Sequence, residues 1–323
     1  MKRSHMKKGR THMIATVTMN PAVDYTVSLE EPLRNNAVNR TDHERITAGG
    51  KGVNVSLVLH QLDIPTTVYG YLSGTTGSMI AEQLQRTQIP TDWNQVPNQM
   101  NRINLKIREN GTVTELNGRG VSVTEQDTEL LLQKLRKYGD GDFIVLAGSI
   151  PAGAPVTHYA DVMTALEDSG VKFAVDVAGA PMREALRCKP FVIKPNLPEL
   201  CELFDTAIDT WWDALPYGKK LQEMGAENVL LSLGGDGALL FTSENRVWHL
   251  SAPHGEVKNA VGAGDSMLGG FLAGVASGKP LTEALRMGIA AGSATAFSEW
   301  IADRPAWIIC CAFCPNRPSW YKN

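Results

Sequence analysis

From residue 122 onward, helix-length segments alternate with short apolar runs, and this alternation constrains the fold more than any other feature of the chain. Helical spacing of apolar residues predicts helices at Gln126–Lys137, Val156–Asp168, Pro181–Leu186 and Asp213–Met224. Buried strands are predicted between and after them at Phe143–Ala147, Phe173–Val177, Phe191–Ile193 and Val229–Leu233. Strands separated by helices indicate a parallel sheet with right-handed crossovers. We therefore expect an α/β fold with a mainly parallel sheet flanked by helices.

The N-terminal part of the chain predicts a second, smaller sheet. Strands are expected at Ile14–Thr18 and Thr66–Tyr71, with helices after Gly49–Gly52 and near Ser78–Gln88. Alternating stretches suit exposed antiparallel strands at Val23–Leu29, Val38–Thr47, Ile103–Arg108 and Val113–Asn117, with a turn at Asn110-Gly111. We expect a small antiparallel β lid built from about residues 23–47 and 100–118.

Composition excludes several classes of protein. The chain has 323 residues, 43% hydrophobic and 20% charged, which is ordinary for a globular protein. No run approaches the roughly 18 uncharged apolar residues that a membrane-spanning helix needs, so no membrane partner is expected. The five cysteines do not form a disulfide framework, and this favours a reducing, cytoplasmic setting.

The first twelve residues, Met1–His12, are basic and lack an apolar stretch. We interpret them as an expression leader, with Met13 as the natural start. Without their five basic residues, the chain carries 26 basic against 34 acidic residues. A protein this acidic is a poor candidate for binding nucleic acid. Any anionic ligand must therefore be held by a local cationic pocket.

The sharpest chemical signal is the glycine-rich stretch Asn259–Gly270. Apolar residues follow it at helical spacing, so Gly262, Ala263 and Gly264 lie at a helix N-terminus, where free amides attract an anionic oxygen. Asp265 can accept a proton from a hydroxyl there while the amides hold a phosphoryl group. The alternative is a tight turn in which Asp265 only caps the helix. The glycine spacing matches neither the dinucleotide-binding pattern nor the P-loop.

A second glycine cluster, Ala48–Asn54, lies far away in the sequence. Its glycines, Gly49 and Gly50 among them, let backbone approach a ligand closely, and Lys51 adds a cation. Asn54 falls near the start of the following helix, where its amide can bond sugar hydroxyls. A plain glycine-rich turn with a solvated lysine fits this spacing equally well.

Together and in this order, the two glycine clusters resemble the ribokinase-like (PfkB) family of carbohydrate kinases, over almost all of Met13–Phe297. Thr18–Asp24 and Arg102–Lys106 resemble its branch of 1-phosphofructokinase and tagatose-6-phosphate kinase. The resemblance implies a ribokinase-like kinase domain over residues 13–297, with ATP and Mg²⁺ as cofactors. It implies Asp265 as catalytic base, aided by the amides around Gly262, Ala263 and Gly264.

On the substrate side, the resemblance implies contacts to a sugar and to a phosphate that it already carries. Arg102, Asn104 and Lys106 share one face of a strand, because residues two apart point the same way. Two cations and an amide suit a phosphate, although a solvated hairpin face is the alternative. The residues implied to contact the substrate are Asp24, Gly49, Gly50, Lys51, Asn54, Arg102, Asn104 and Lys106.

On the nucleotide side, the resemblance implies turns that follow buried strands. Lys194–Glu199 resembles an element in which Asn196 and Glu199 arrange Mg²⁺, its waters and the phosphates. Magnesium keeps several waters, so Glu199 is expected to act indirectly. Ser232–Gly237 resembles an ATP-contacting turn, although a glycine hairpin fits equally well. The residues implied to contact ATP are Lys194, Asn196, Ser232, Gly234, Gly235, Gly237, Gly264 and Ser293.

The resemblance weakens at two places. Asp176–Gly179 matches only partly, because relatives usually carry hydroxyl residues between the Asp and the Gly. After Phe297 the composition shifts abruptly, since three of seven tryptophans and three of five cysteines lie in residues 298–323. We interpret this segment as an atypical C-terminal tail that puts the adenine-side wall near Ser293 in question. No second Cys or His pair accompanies its cysteines at zinc-site spacing.

The implied function is ATP-dependent phosphorylation of a ketohexose phosphate, first fructose 1-phosphate to fructose 1,6-bisphosphate. Tagatose 6-phosphate and fructose 6-phosphate are alternative substrates. The alternative in another class is a catalytically inactive sugar-phosphate-binding protein. Many relatives dimerise through the lid, so the resemblance implies a homodimer through the β lid.

Overall fold

This computed structural model describes residues 12–109, 111–315 and 318–321. The strands in these ranges are β1 Ile14–Thr18, β2 Ala22–Ser28, β3 His43–Gly49, β4 Thr66–Leu72, β5 Thr91–Gln95, β6 Arg102–Glu109, β7 Thr112–Asn117, β8 Phe143–Ala147, β9 Lys172–Asp176, β10 Val192–Ile193, β11 Asn228–Ser232, β12 Ala238–Thr242, β13 Arg246–Leu250 and β14 Ser319–Tyr321. The α-helices are α1 Lys51–Gln61, α2 Gly74–Arg86, α3 Glu125–Leu135, α4 His158–Thr164, α5 Ala180–Leu186, α6 Leu197–Phe204, α7 Leu215–Glu223, α8 Ala263–Ala276, α9 Leu281–Ala296 and α10 Arg304–Phe313. Of the interpreted leader, Met1–Thr11 lie outside the described residues.

The main sheet has ten strands in the order β14-β13-β12-β11-β10-β9-β8-β1-β4-β5. From β11 to β5 neighbouring strands pair in parallel, whereas β12, β13 and β14 pair antiparallel. Every residue of β1 and β8 is buried, as expected for strands covered by helices on both faces. The expected α/β fold is confirmed. Asp176 lies at the carboxyl end of β9, and the turns that begin at Lys194 and after Ser232 follow the carboxyl ends of β10 and β11.

Two hydrophobic layers hold helices on the two faces of the main sheet. In one layer, side chains such as Leu131 of α3 and Tyr159 of α4 pack against Val17 and Leu146 of the sheet. In the other, Leu59 of α1 and Phe271 of α8 are among those that pack against the opposite face. Successive strand residues point to opposite faces, so each buried strand supplies both layers. None of the described helices is both long and apolar enough to cross a membrane.

The lid is a four-stranded sheet in the order β3-β2-β6-β7. Its outer pairs, β2 with β3 and β6 with β7, are antiparallel, whereas its central pair, β2 with β6, is parallel. The predicted hairpin of β6 and β7 is present, but Asn110 of its turn lies outside the described residues. The strand expected at Val38–Thr47 begins only at His43. It begins late because residues 30–42 form a largely exposed loop.

The C-terminal segment packs onto the rest of the fold. Helix α10 contributes the buried Cys310 to the layer that contains α8 and α9, and Cys314 just after it is also buried there. Arg286 Nη1 of α9 donates a hydrogen bond to the backbone oxygen of Cys311 at 2.9 Å. β14 adds an antiparallel strand beside β13. The tail thus covers an edge of the main sheet and one side of α9.

Candidate active site

Asp265 lies in the first turn of α8, beneath the glycine-rich turn. Gly262 caps this helix with a φ of 82°, in the left-handed region that favours glycine. Asp265 is 8% exposed, and its Oδ2 accepts a hydrogen bond from Asn54 Nδ2 at 2.8 Å. Asn54 belongs to the first turn of α1, so the two glycine clusters of the sequence meet at this bond.

The start of α1 needs glycine because two strands approach it closely. Gly50 caps α1 with a φ of 136°. A Cβ at Gly49 would lie 2.5 Å from Asp24 Cγ on β2, and one at Gly50 would lie 2.5 Å from Thr18 Cγ2 on β1. This close approach lets the Asp24 carboxylate and the Asn54 amide share one cavity.

Asp176, at the carboxyl end of β9, is fully buried beside two lysines. Its Oδ1 accepts a hydrogen bond from Lys51 Nζ at 2.8 Å, and its Oδ2 lies 3.3 Å from Lys194 Nζ. Lys51 Nζ also lies 3.5 Å from Glu199 Oε1. Burial alone would raise the pKa of Asp176, but Lys194 and Lys51 hold that pKa below its usual value.

The electrostatics favour a proton acceptor at Asp265 and a cation at Lys51. Burial, followed by the charge of Asp176, raises the pKa of Asp265 to about 6 against the opposing effects of Lys51, Asn54 and Lys194. Burial disfavours the charged form of Lys51, but nearby carboxylates, Asp176 first, raise the pKa of Lys51 above its usual value. A carboxylate with a pKa near 6 is ionised at neutral pH and is a stronger base than an exposed one.

The inner face of the lid carries a second ion pair. Asp24 Oδ1 accepts a hydrogen bond from Asn104 Nδ2 at 3.0 Å, and Asp24 Oδ2 accepts one from Lys106 Nζ at 2.9 Å. Arg102, at the start of β6, donates a hydrogen bond from Nε to the backbone oxygen of Asn20 at 3.0 Å. The structure therefore brings Asp24, Asn104 and Lys106 together.

A cavity of about 110 Å³ lies between the lid and the turn before α8. We call it the acceptor cavity. Three lid strands line it in alternation, with Asp24, Thr26 and Ser28 from β2, His43, Arg45 and Thr47 from β3, and Lys106 and Arg108 from β6. The rest of its lining is Asn54, Asn259, Val261, Glu299, Trp300 and Ile301. Two arginines, a lysine and a histidine against two carboxylates make this a suitable pocket for an anionic ligand.

A larger groove of about 610 Å³ lies on the other side of the same turn. It is lined by every residue that the sequence assigned to the nucleotide: Lys194, Asn196, Ser232, Gly234, Gly235, Gly237, Gly264 and Ser293. Apolar side chains such as Met267, Ile289 and Phe297 complete its walls. The turn after Ser232 joins the antiparallel strands β11 and β12, so it is both a hairpin and a wall of the groove.

The sequence pattern of pfkB family carbohydrate kinases matches residues 17–301 of this chain. The chain belongs to this family. It is therefore a phosphotransferase that acts on an alcohol group of a carbohydrate. Other pfkB kinases use ATP as the phosphoryl donor.

Named pfkB relatives resemble this chain over most of its length. The 1-phosphofructokinase of Bacillus subtilis (strain 168) is 42% identical over 287 residues, 89% of this chain and 93% of that protein. A D-tagatose-1-phosphate kinase of Bacillus licheniformis is 36% identical over 292 residues, 90% of this chain and 95% of that protein. The structure of phosphofructokinase-2 from Escherichia coli in complex with substrates and products is 25% identical, with a TM-score of 0.86, covering 93% of this chain and 98% of that one.

The site fits a magnesium ion held mainly by water and phosphate oxygens. Among the residues that the structure describes, no group of three or more His, Cys, Asp or Glu side chains could hold a metal. At the start of α6, Asn196 Oδ1 accepts a hydrogen bond from Glu199 N at 2.8 Å, and Glu199 Oε2 accepts one from Asn196 N at 3.0 Å. This leaves Glu199 Oε1, near Lys51, as an acceptor for metal-bound water.

Sequence reasoning missed several polar residues of the acceptor cavity. Arg108 continues the alternating series of Arg102, Asn104 and Lys106, so the same two-residue spacing could have revealed it. Asn259 stood inside the quoted motif without an assigned role. Arg45 and His43 gave no signal, because their positions on the lid depend on strand pairing. Neither Arg102 nor Lys51 lies in the lining of the cavity, so their contact with a substrate phosphate stays a prediction.

Proposed function

We propose that this pfkB kinase transfers the γ-phosphoryl group of ATP to the free primary hydroxyl of a ketohexose phosphate, first fructose 1-phosphate. One observation carries the proposal. Val261 lines the acceptor cavity while Ala263 and Gly264, two and three residues further on, line the groove. A single turn therefore separates an acceptor in the cavity from a nucleotide in the groove. Asp265, held by Asn54, follows that turn.

Asp265 takes the proton of the acceptor hydroxyl in this mechanism. The amides of Gly262, Ala263 and Gly264, at the N-terminus of α8, stabilise charge that develops on the transferring group. Lys194 adds a cation close to them, since a Cβ at Gly264 would lie 3.1 Å from its Nζ. A bound Mg²⁺ would neutralise phosphate charge, with Glu199 and Asn196 orienting its waters. Positioning and charge neutralisation supply most of the rate in such reactions.

The sugar lies over β2 and α1 in this proposal. Asp24 and Asn54 bond its hydroxyls, while Gly49 and Gly50 let backbone approach it. Its existing phosphate lies at the basic end of the cavity, where Lys106 and Arg108 are 7% exposed and half-buried, respectively. Asn104 supports this arrangement through Asp24. The Arg102 and Lys51 contacts predicted from the sequence are further proposals for the same phosphate.

The choice of sugar rests on the named relatives. The Bacillus subtilis relative is named 1-phosphofructokinase, and the Bacillus licheniformis one D-tagatose-1-phosphate kinase. Both names specify a ketohexose 1-phosphate, whose free primary hydroxyl is at C6. Tagatose 6-phosphate and fructose 6-phosphate are the alternatives. The test is ADP release at equal concentrations of fructose 1-phosphate, tagatose 1-phosphate, fructose 6-phosphate and tagatose 6-phosphate. The highest kcat/KM for fructose 1-phosphate supports the proposal, and turnover of none of them contradicts it.

We also propose a homodimer formed through the outer face of the lid. Tyr25 of β2 lies beside Ile46 of β3 and Leu105 of β6, and Leu105 lies beside Leu116 of β7. Ile46 is 46% exposed and Leu116 is 58% exposed, so this row is an apolar strip on the face opposite the acceptor cavity. Sedimentation of the Ile46→Lys variant as a monomer would support this interface. A monomeric parent protein would contradict it.

The proposed location is the cytoplasm. All five cysteines are free in the described structure, including three in the tail. Free thiols persist most readily in a reducing compartment.

A further inference from the structure

Asn259 joins the lid to the turn that precedes α8. Its Oδ1 accepts hydrogen bonds from Arg108 Nη2 at 2.8 Å and from Val261 N at 3.2 Å. Its Nδ2 donates to the backbone oxygen of Glu299 at 3.1 Å, and its backbone N donates to Ala296 O at 3.1 Å. Asn259 is 8% exposed. Asn259 thus joins its own turn to two distant segments of the chain, the lid strand β6 and the residues at and after the end of α9.

A second bond ties the lid to the same place. Arg45 Nη1 on β3 donates to Glu299 O at 2.9 Å, and this is the oxygen that also accepts from Asn259. β3 and β6 lie on either side of β2. The lid is therefore attached through Arg45 on one flank and Arg108 on the other to the pair formed by Asn259 and Glu299.

The bond from Arg108 reaches the catalytic turn through one shared acceptor atom. A hydrogen bond from a charged guanidinium is stronger than one between neutral groups. Asn259 Oδ1 holds the amide of Val261, the residue directly before Gly262. Gly262 has no β-carbon to restrict its backbone, so the turn depends on outside contacts for its conformation. A displacement of Arg108 is therefore passed to the amides that follow Gly262.

We propose that Asn259 is a positioning residue that couples closure of the lid to the geometry of the phosphoryl-transfer turn. With the lid closed, Arg108 and Arg45 hold Asn259 and Glu299, and the turn Val261–Gly264 is fixed for transfer. With the lid displaced, the turn loosens, and ATP is protected from hydrolysis until an acceptor is bound. The catalytic meaning rests on the proposed function, whereas the mechanical link is independent of it.

The link itself is tested without substrate, by hydrogen–deuterium exchange of the full-length protein. Arg108→Met should speed exchange of the amides in peptides covering Val261–Gly264 by about fivefold or more. Asn259→Ala should do the same, and the double variant should exceed neither single variant by much, because the two residues act through one bond. The control is Arg86→Met, which removes an exposed arginine paired with Glu82 on α2.

Kinetics supply the second test. Arg108→Met and Asn259→Ala should each lower kcat about tenfold, with the KM for ATP changed by less than about threefold. Arg108→Lys and Asn259→Asp should recover part of the loss, because they keep a charged donor and an acceptor oxygen. Unchanged exchange in Arg108→Met overturns the proposal, whatever the activity. So does a higher KM for the phosphosugar with kcat and exchange unchanged, since Arg108 would then only bind substrate. Faster exchange in a protein that phosphorylates no sugar would support the link and refute the proposed function.

Discussion

Asn54 donates a hydrogen bond to the Asp265 carboxylate across 211 residues of sequence. The bond joins the first turn of α1 to the first turn of α8, and each of those turns begins at a glycine with positive φ. Two helix N-termini therefore converge on one buried carboxylate. Because a helix N-terminus favours negative charge, this convergence suits the proposed site, in which phosphate oxygens lie beside an anionic base.

Replacing the proposed base should separate activity from stability. Asp265→Asn is expected to lower kcat by roughly 10²–10⁴-fold, since general base catalysis supplies about that much. The pKa of Asp265 is raised from 3.8 to about 6, so this group favours folding below pH 4, and that contribution is lost as pH rises through 6. The variant removes a buried charge and should be more stable at pH 7, on the order of 1–3 kcal/mol. Activity assays and urea denaturation check both parts.

The matched control for that substitution is Asp168→Asn, which alters an exposed carboxylate that lines neither the acceptor cavity nor the groove. Asp168→Asn should change neither kcat nor the free energy of unfolding appreciably. A destabilised Asp265→Asn variant would contradict the electrostatic account, and an active one would contradict the role of Asp265 as base.

The pH profile should report the surroundings of Asp265. Because the base must be ionised, kcat/KM should fall about tenfold per pH unit below a midpoint near 6. The hydrogen bond from Asn54 lowers the pKa of Asp265, so Asn54→Ala should move the midpoint to higher pH. Initial rates from pH 5 to 8.5 measure the shift. A midpoint that stays in place or moves to lower pH would contradict the assignment of this titration to Asp265.

Lys51 should matter for stability as well as for phosphate binding. Lys51→Met leaves the fully buried Asp176 with Lys194 as its remaining cation, 3.3 Å away. Breaking a buried ion pair from one side is costly, and we expect a loss of about 2–4 kcal/mol in the free energy of unfolding. The double variant Lys51→Met/Asp176→Asn should lose less, because the unpaired charge is gone. Equal losses in both proteins would argue against this reasoning.

A substitution in the groove should weaken binding of the nucleotide and leave binding of the phosphosugar unchanged. Ser293 is a buried residue of α9 in the groove wall, so Ser293→Leu would fill space that the nucleotide needs. We expect the KM for ATP to rise about tenfold or more, while the KM for the phosphosugar changes little. Ser277→Leu, at the exposed end of α8, is the control. A change confined to the phosphosugar KM would show that the groove is not the nucleotide site.

The sequence predicted the chemistry of the site better than its geometry. Residues such as Asp265 and Asn196 could be located from the sequence because each lies at the start of a helix, which local patterns reveal. Strand β5 was missed because its residues, Thr91–Gln95, are mostly polar. The contacts that Arg102 and Lys51 make could not be predicted from the sequence. Arg102 bonds the loop oxygen of Asn20 and Lys51 bonds the buried carboxylate of Asp176, and only tertiary packing brings these partners together.

The parallel pairing of β2 with β6 implies an order of events during folding. Asp24 and Asn104 are neighbours across these strands yet lie 80 residues apart, and the chain between them contains β3, α1, β4, α2 and β5. Closing a loop of that length costs entropy that a two-strand contact cannot offset early. The two halves of the lid, β2 with β3 and β6 with β7, should therefore join late, after β4 has docked onto β1.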